Sequence, residues 1–242
     1  MSVYLATFVA LAWLRLLHVQ WIAALAVLVA TAVSVAFWEK GRWNLGLLAP
    51  PRLTMRELLG GALFACLIVG AADALIILTT PIRHAAGTGF PWLEVLGIFI
   101  PAVVHEELLF RGYGYQKLRG WGRIPAIVLT SLIFMALHWT NHGVTALAMT
   151  NIFLGGVLLA LAYERHQRLL WPLGLHFAWN LAAGPILGWE VSGYIPAASL
   201  LTTEGSGPEL LTGGGFGIEG SVWMTACESA GIAWLWRTTP GR

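Results

Sequence analysis

The apolar positions fall into seven long runs separated by short polar intervals, at 21–38, 57–78, 92–110, 124–139, 144–163, 171–188 and 221–236. A hydrocarbon core about 30 Å thick needs roughly 20 apolar residues of helix, and each run reaches or approaches that length. Several begin or end on Trp or Tyr, which anchor helices at the membrane–water boundary. An eighth run, 3–17, is short, and Arg15, His18 and Gln20 divide it from the next. It is another span, a re-entrant piece or a surface helix. The pattern predicts an all-α fold, a polytopic membrane helix bundle of seven or eight transmembrane helices around a polar cavity, forming one integral membrane domain over 1–242.

The cations support that count. Lys40, Arg42, Arg52, Arg56, then Arg111, Lys117, Arg119, Arg123, then Arg165, Arg168, and finally Arg237 and Arg242 lie in four intervals that share one side if the seven runs alternate. Those twelve are most of the 14 Lys and Arg in the chain. The opposite side holds Arg83, and Arg15 belongs to the leading run. By the positive-inside rule the crowded side is cytoplasmic, which predicts a multi-pass protein of the cell (plasma or inner) membrane with the lipid bilayer as its first partner. The cation-poor side carries two longer loops, around 81–91 and 189–220. The second is rich in Gly, Ser, Thr and Pro, a composition that predicts turns and mobility and makes it a candidate gate.

Composition sharpens this picture. Charged residues make up 11% of the chain, against about 25% in soluble domains. A formal net charge of +2 gives no basic footprint for nucleic acid. Cys66 and Cys227 lie in separate apolar runs without metal-ligand spacing and read as small buried hydrophobes. No basic region precedes the first run, so a cleaved leader is not expected, and the C-terminus has no lipidation box.

Against this background, Val104-His105-Glu106-Glu107-Leu108-Leu109-Phe110-Arg111-Gly112 stands out. An ionisable group at membrane depth costs about 2.5 to 3.5 kcal/mol on insertion scales, and three of them fall within six positions here. On a helix Glu107 and Arg111 are one turn apart in the favoured order for an ion pair. Glu106 points about 100° away from Glu107, so the two carboxylates have different work: Glu107 is held by Arg111, and Glu106 meets water as a general base. The competing reading is a solvated or headgroup-binding cluster at the membrane surface. Phe134 to His142 brings His138 and His142 within one turn of each other, and His176 and Asn180 share a face of the sixth run. The last pair either satisfies itself or aims two donors into the cavity, as oxyanion stabilisation requires. A carboxylate base, a histidine and a His/Asn pair suffice for water attack on a carbonyl without metal or covalent nucleophile.

At these residues the chain resembles the CPBP family (CAAX protease and bacteriocin processing, also called Abi) of intramembrane proteases. The pattern is Glu106-Glu107-x-x-x-Arg111, then Phe134-x-x-x-His138, then His176-x-x-x-Asn180, in order, within a core of about 92–188. The stretch Phe216 to Gly220 is similar to bacterial members. The resemblance implies a glutamic, metal-independent intramembrane endopeptidase. Glu106 would activate water with help from His138, His176 and Asn180 would form the oxyanion hole, and Glu107 and Arg111 would support them. The implied substrate is a membrane protein or lipidated peptide, with no cofactor.

Two other classes compete. His105-Glu106 opens like the zinc-protease motif H-E-x-x-H, but position 109 is Leu. His138, His142 and His176 are then the candidate zinc ligands. A non-catalytic membrane protein, either a proton-coupled transporter or an immunity or partner protein, also keeps Glu, His and Arg at mid-membrane. One tension follows from the span count: Glu106 and Arg111 sit at the cytoplasmic end of their run and His138 at the far end of its own. For them to meet, the fourth run must tilt or extend below Ile124, or the first motif must lie deeper than its loop suggests.

Overall fold

The computed structural model describes residues 20–40 and 44–239. The leading run at 3–17, Arg42 and Arg242 lie outside the described residues. The chain forms α1 (Gln20–Trp38) and α2 (Pro51–Thr79), a short strand β1 (Arg83–Ala86), and a leg made of α3 (Trp92–Glu94), a π-helical turn (Val95–Phe99) and α4 (Ile100–Phe110). After these come α5 (Tyr113–Leu118), a 3-10 turn (Arg119–Trp121), α6 (Arg123–Leu137), α7 (Ala146–His166) and α8 (Leu170–Leu181), which runs into a second π-helical turn (Ala182–Ile186). Strand β2 (Leu201–Glu204), α9 (Glu209–Thr212), two 3-10 turns (Gly214–Phe216 and Ile218–Gly220) and α10 (Val222–Thr238) complete it. The seven apolar runs thus become seven helical legs of a membrane bundle. By length and apolarity α1, α2 and α7 are able to cross a bilayer outright, and α6 is a shorter apolar helix. Among the described residues the departures from all-α are the antiparallel pair β1–β2, with Arg83 opposite Glu204, and an isolated bridge between Val191 and Tyr194.

Local signals explain several boundaries. Pro51 opens α2 at the position where its missing N–H costs nothing, so this helix starts six residues before the apolar run. Thr145 and Ser221 cap α7 and α10 by accepting the backbone N–H of Ala148 and Met224, each at 3.0 Å. His138 closes α6: its Nδ1 lies 2.8 Å from the Phe134 carbonyl one turn back.

Helices α2 and α8 form the most intimate pair, and glycine is the reason. A Cβ added at Gly174 would stand 2.2 Å from the Leu58 carbonyl oxygen, and one at Gly61 would stand 2.1 Å from that of Trp171. Backbone thus lies on backbone, as at small-residue interfaces of membrane helices. Gly70, on the exposed side of α2, meets nothing within 4 Å. Gly174→Ala is expected to lower the yield and melting temperature of purified protein by more than the about 1–3 kcal/mol of ordinary overpacking, because backbone atoms cannot rotate away. Gly70→Ala should leave both unchanged, and equal behaviour of the two variants would contradict this packing.

The cation-rich segments converge on one face. Lys117 and Tyr113 reach Glu39 at the end of α1, at 2.5 and 2.9 Å. Arg119 and Tyr115 reach Glu164 at the end of α7, at 2.7 and 2.9 Å. Arg168 lies 3.5 Å from Glu57 near the start of α2, and Arg165 bonds the Thr238 carbonyl at the end of α10. At Glu39, the hydrogen bond from Lys117 outweighs partial desolvation and lowers the carboxyl from its ordinary value. Arg83, paired with Glu204 at 3.0 Å, lies at the other end.

Arg111 does not belong with those surface cations. It is 0% exposed, and its NH2 donates at 3.0 Å to the carbonyl of Gly156, the central residue of α7. The descending leg does not stop at Arg111 but continues through α5 and the following turn, so α6 begins well below it. Twelve residues separate Phe110 from Gly122, and another twelve return from Gly122 to Phe134. Phe110 and Phe134 then meet edge to face at 5.2 Å. The first motif lies deep in the bundle, and that removes the tension between Glu106 and His138.

Much of the 189–220 segment packs into the bundle. Trp189, Val191, Phe216, Ile218 and Glu219 are buried. Its glycines permit close approach: a Cβ on Gly217 (φ +90°) would stand 2.1 Å from the Glu190 carbonyl oxygen, and one on Gly193 (φ +81°) would stand 2.2 Å from that of His142. The turn-forming composition works here as packing material.

Candidate active site

The segments converge on one cavity of about 660 Å³. Glu106 from α4, Phe134 and His138 from α6, His176 and Asn180 from α8, and Glu219 and Glu228 from the last part of the chain all line it, with Asn141, His142 and Tyr194 among the others. Residues as far apart in sequence as Glu106 and Glu228 thus share one enclosure.

Glu107 is its buried anchor. It is 0% exposed, and its Oε1 accepts from Arg111 NH1 at 2.8 Å and from His176 Nδ1, also at 2.8 Å. Glu107 is therefore held by Arg111, as expected, and by His176 as well, so His176 is not spent on Asn180. The Arg111 guanidinium lies 5.1 Å from the centroid of the Phe134 ring and 5.8 Å from that of Phe110, an apolar clamp with cation–π character. Phe134 touches both histidines: its ring is 4.7 Å from that of His138 and 6.2 Å from that of His176.

Glu106 turns to the cavity instead. His176 Nε2 is 3.8 Å from its Oε2, and His105 Nε2 is 3.9 Å from its Oε1. The gap to His176 is wider than a hydrogen bond and fits a bridging oxygen atom. His105, noted in the sequence only as the start of an incomplete zinc-protease motif, has its Nδ1 3.0 Å from the Pro101 carbonyl. In His138 the contact with the Phe134 carbonyl needs Nδ1–H, so Nε2 of the neutral ring is an acceptor. Asn180 lines the cavity, and among the described residues its carboxamide has no hydrogen-bond partner. His142 is exposed and lies 3.3 Å from the Gly215 carbonyl through Nδ1. Among the described residues, no three His, Cys, Asp or Glu side chains gather as a metal-binding group.

Three other cavity groups escaped the sequence reading in their roles. Glu219, noticed only as part of a familiar stretch, accepts from Trp179 Nε1 at 2.9 Å and from both the backbone N–H and the Oγ of Ser192. Burial pushes its carboxyl up, and the Ser192 and Trp179 donors oppose that shift. Glu228 is 2% exposed on α10. Tyr194 is a phenol that burial, followed by the charge of Glu94, pushes up to about 12, so it remains an O–H group at neutral pH. The signal available for Glu228 was a lone acid inside the seventh apolar run.

Fold and site together describe a helical membrane protein with a polar, carboxylate- and histidine-bearing cavity. Residues 88–182 match the family model described as "Type II CAAX prenyl endopeptidase Rce1-like". That range contains all three motifs, so this segment is similar to the Rce1-like CAAX proteases. A curated relative, an "Uncharacterized 24.3 kDa protein" of Escherichia coli, is 37% identical over 87 residues. The aligned part covers 35% of this chain and 39% of that relative. No solved structure matches the chain.

Proposed function

We propose that the chain is a CPBP-type intramembrane endopeptidase of the cell membrane, cleaving a membrane protein or lipidated peptide with a Glu/His-activated water and no metal. The observation that carries this reading is the 3.8 Å gap between Glu106 and His176 in a cavity also lined by His138 and Asn180. A water there gives one proton to Glu106 and hydrogen-bonds the acceptor Nε2 of His138 while its oxygen attacks the peptide carbonyl. His176, its Nδ1–H held by the Glu107 carboxylate, is stabilised as an imidazolium, so Nε2–H points at the developing oxyanion. The Asn180 amide supplies the second donor. Protonated Glu106 then returns its proton to the leaving amine as the C–N bond breaks, yielding an acid and an amine. The protease core of about 92–188 and the rest of the chain act as one domain in this scheme.

The test is cleavage of a proteome-derived peptide mixture and of prenylated peptides by protein reconstituted in nanodiscs, read by mass spectrometry. Cleavage should persist in a zinc chelator. Asn180→Ala should lower kcat about 10²–10³-fold, the usual effect of losing one oxyanion donor, with KM little changed. Chelator-sensitive cleavage restored by zinc would replace this mechanism with a metal-dependent one.

A further inference from the structure

The cavity has a second acidic wall beyond the reacting groups. Asn151 and Gly155 of α7, Glu219 and Glu228 form it. Both carboxylates are more than nine-tenths buried. Glu219 receives N–H and O–H donors from Trp179 and Ser192 and donates to nothing, the pattern of an ionised carboxylate. Its surroundings include one titratable group with a cationic form, His176, which is already engaged by Glu107 at 2.8 Å. Glu228 has no hydrogen bond or ion pair among the described residues, and its Oε2 is buried without a partner. On the facing helix Gly155 leaves its approach clear, since a Cβ there would stand 3.3 Å from Glu228 Oε1.

An unpartnered ionised carboxylate in an apolar wall costs free energy unless it takes up a proton or a donor or counter-charge arrives. Two carboxylates in low-dielectric walls also focus a negative field into the space between them. An ammonium group brings three N–H donors and a positive charge, which answers both needs. We propose that this wall is a subsite for a protonated amine of the substrate, a Lys side chain or an amino terminus, with Glu228 as its acceptor and Glu219 as a fixed second charge. The source of the amine rests on the peptidase reading; the subsite itself can be tested without any cleavage.

The test has two arms, both on the full chain in nanodiscs. In the first, melting temperature is measured with n-pentylammonium and with n-pentanol, a neutral analogue of similar length, at equal concentrations. A ligand that binds only the folded state raises the melting temperature. The amine is expected to raise that of the wild type and of Glu106→Gln by at least 2 °C more than the alcohol. Glu228→Gln should lose that difference, and Glu228→Asp, which keeps the charge, should retain at least half of it. Equal effects of amine and alcohol on the wild type, or an undiminished difference in Glu228→Gln, would overturn the subsite. Should Glu228→Gln not fold, the wild type and Glu228→Asp decide.

In the second arm, kcat/KM is compared for peptides carrying Lys or norleucine at one position, each with a free or acetylated amino terminus. The preference for the charged member should fall about ten-fold in Glu228→Gln. The pair that shows it names the source: Lys against norleucine for a side chain, free against acetylated for a terminus. Amine-specific stabilisation without cleavage of any peptide would defeat the peptidase reading and leave the subsite standing. Cleavage with no preference for an amine, and no amine-specific stabilisation, would do the reverse.

Discussion

Glu106→Gln is expected to reduce peptide cleavage by reconstituted protein at least 100-fold while leaving the melting temperature within about 2 °C of the wild type. The substitution is nearly isosteric. The side chain faces the cavity and is 14% exposed, and its contacts with His176 and His105, at 3.8 and 3.9 Å, are longer than the 2.8 Å bond between Glu107 and Arg111. A general base contributes typically 10²–10⁴-fold, and an amide cannot take a proton from water. Cleavage assayed by mass spectrometry alongside thermal unfolding separates this outcome from misfolding. A Gln variant as active as the wild type would remove Glu106 from the chemistry.

The largest effect on stability is expected from Arg111→Met. The guanidinium and Glu107 are both fully buried and 2.8 Å apart. Removing one member of a buried pair typically costs about 3–5 kcal/mol, because the other is left as an uncompensated charge. The Gly156 carbonyl and the His176 ring would lose support at the same time, as the geometry joins all four groups. Glu107→Gln combined with Arg111→Met should recover part of that loss, since a neutral amide in the same place is far cheaper to bury. Denaturant unfolding of the two single variants and the double variant gives the coupling directly. A loss below about 1 kcal/mol in Arg111→Met would be incompatible with a buried pair.

The helical legs were legible because apolar length is a strong signal when the surroundings are lipid. The run at 21–38 became Gln20–Trp38, and the run at 124–139 became Arg123–Leu137. The site was legible for a related reason: polar residues one turn apart on an apolar helix share a face. That spacing marked Glu107 with Arg111 and His176 with Asn180, although the link from Glu107 to His176 crosses 69 positions and no local pattern contains it. Depth was harder to read. Arg111 looks like a loop cation because Gly112 follows it, and only the continuation of the leg through α5 shows it to be interior.

The packing of the 189–220 segment was illegible for a different reason. Gly-rich sequence permits both mobility and close backbone packing, and what the glycines meet shows the packing: here Gly217 meets Glu190 and Gly193 meets His142. Glu228 was hidden by its surroundings, since one acid in an apolar run does not disturb the hydropathy that marks a span.

Two of the three helices that bring candidate catalytic residues to the cavity adjoin a π-helical turn, Val95–Phe99 ahead of α4 and Ala182–Ile186 behind α8, and the two turns come close where a Cβ on Gly184 would stand 3.7 Å from Phe99. Such a turn accommodates one residue more than an α-helix of the same rise, and each residue swings a helix by about 100°. The azimuth at which Glu106 faces the cavity is thus tied to an extra residue several positions upstream. In a homologue one residue shorter between 95 and 99, the familiar motif would be intact and its base would point at lipid.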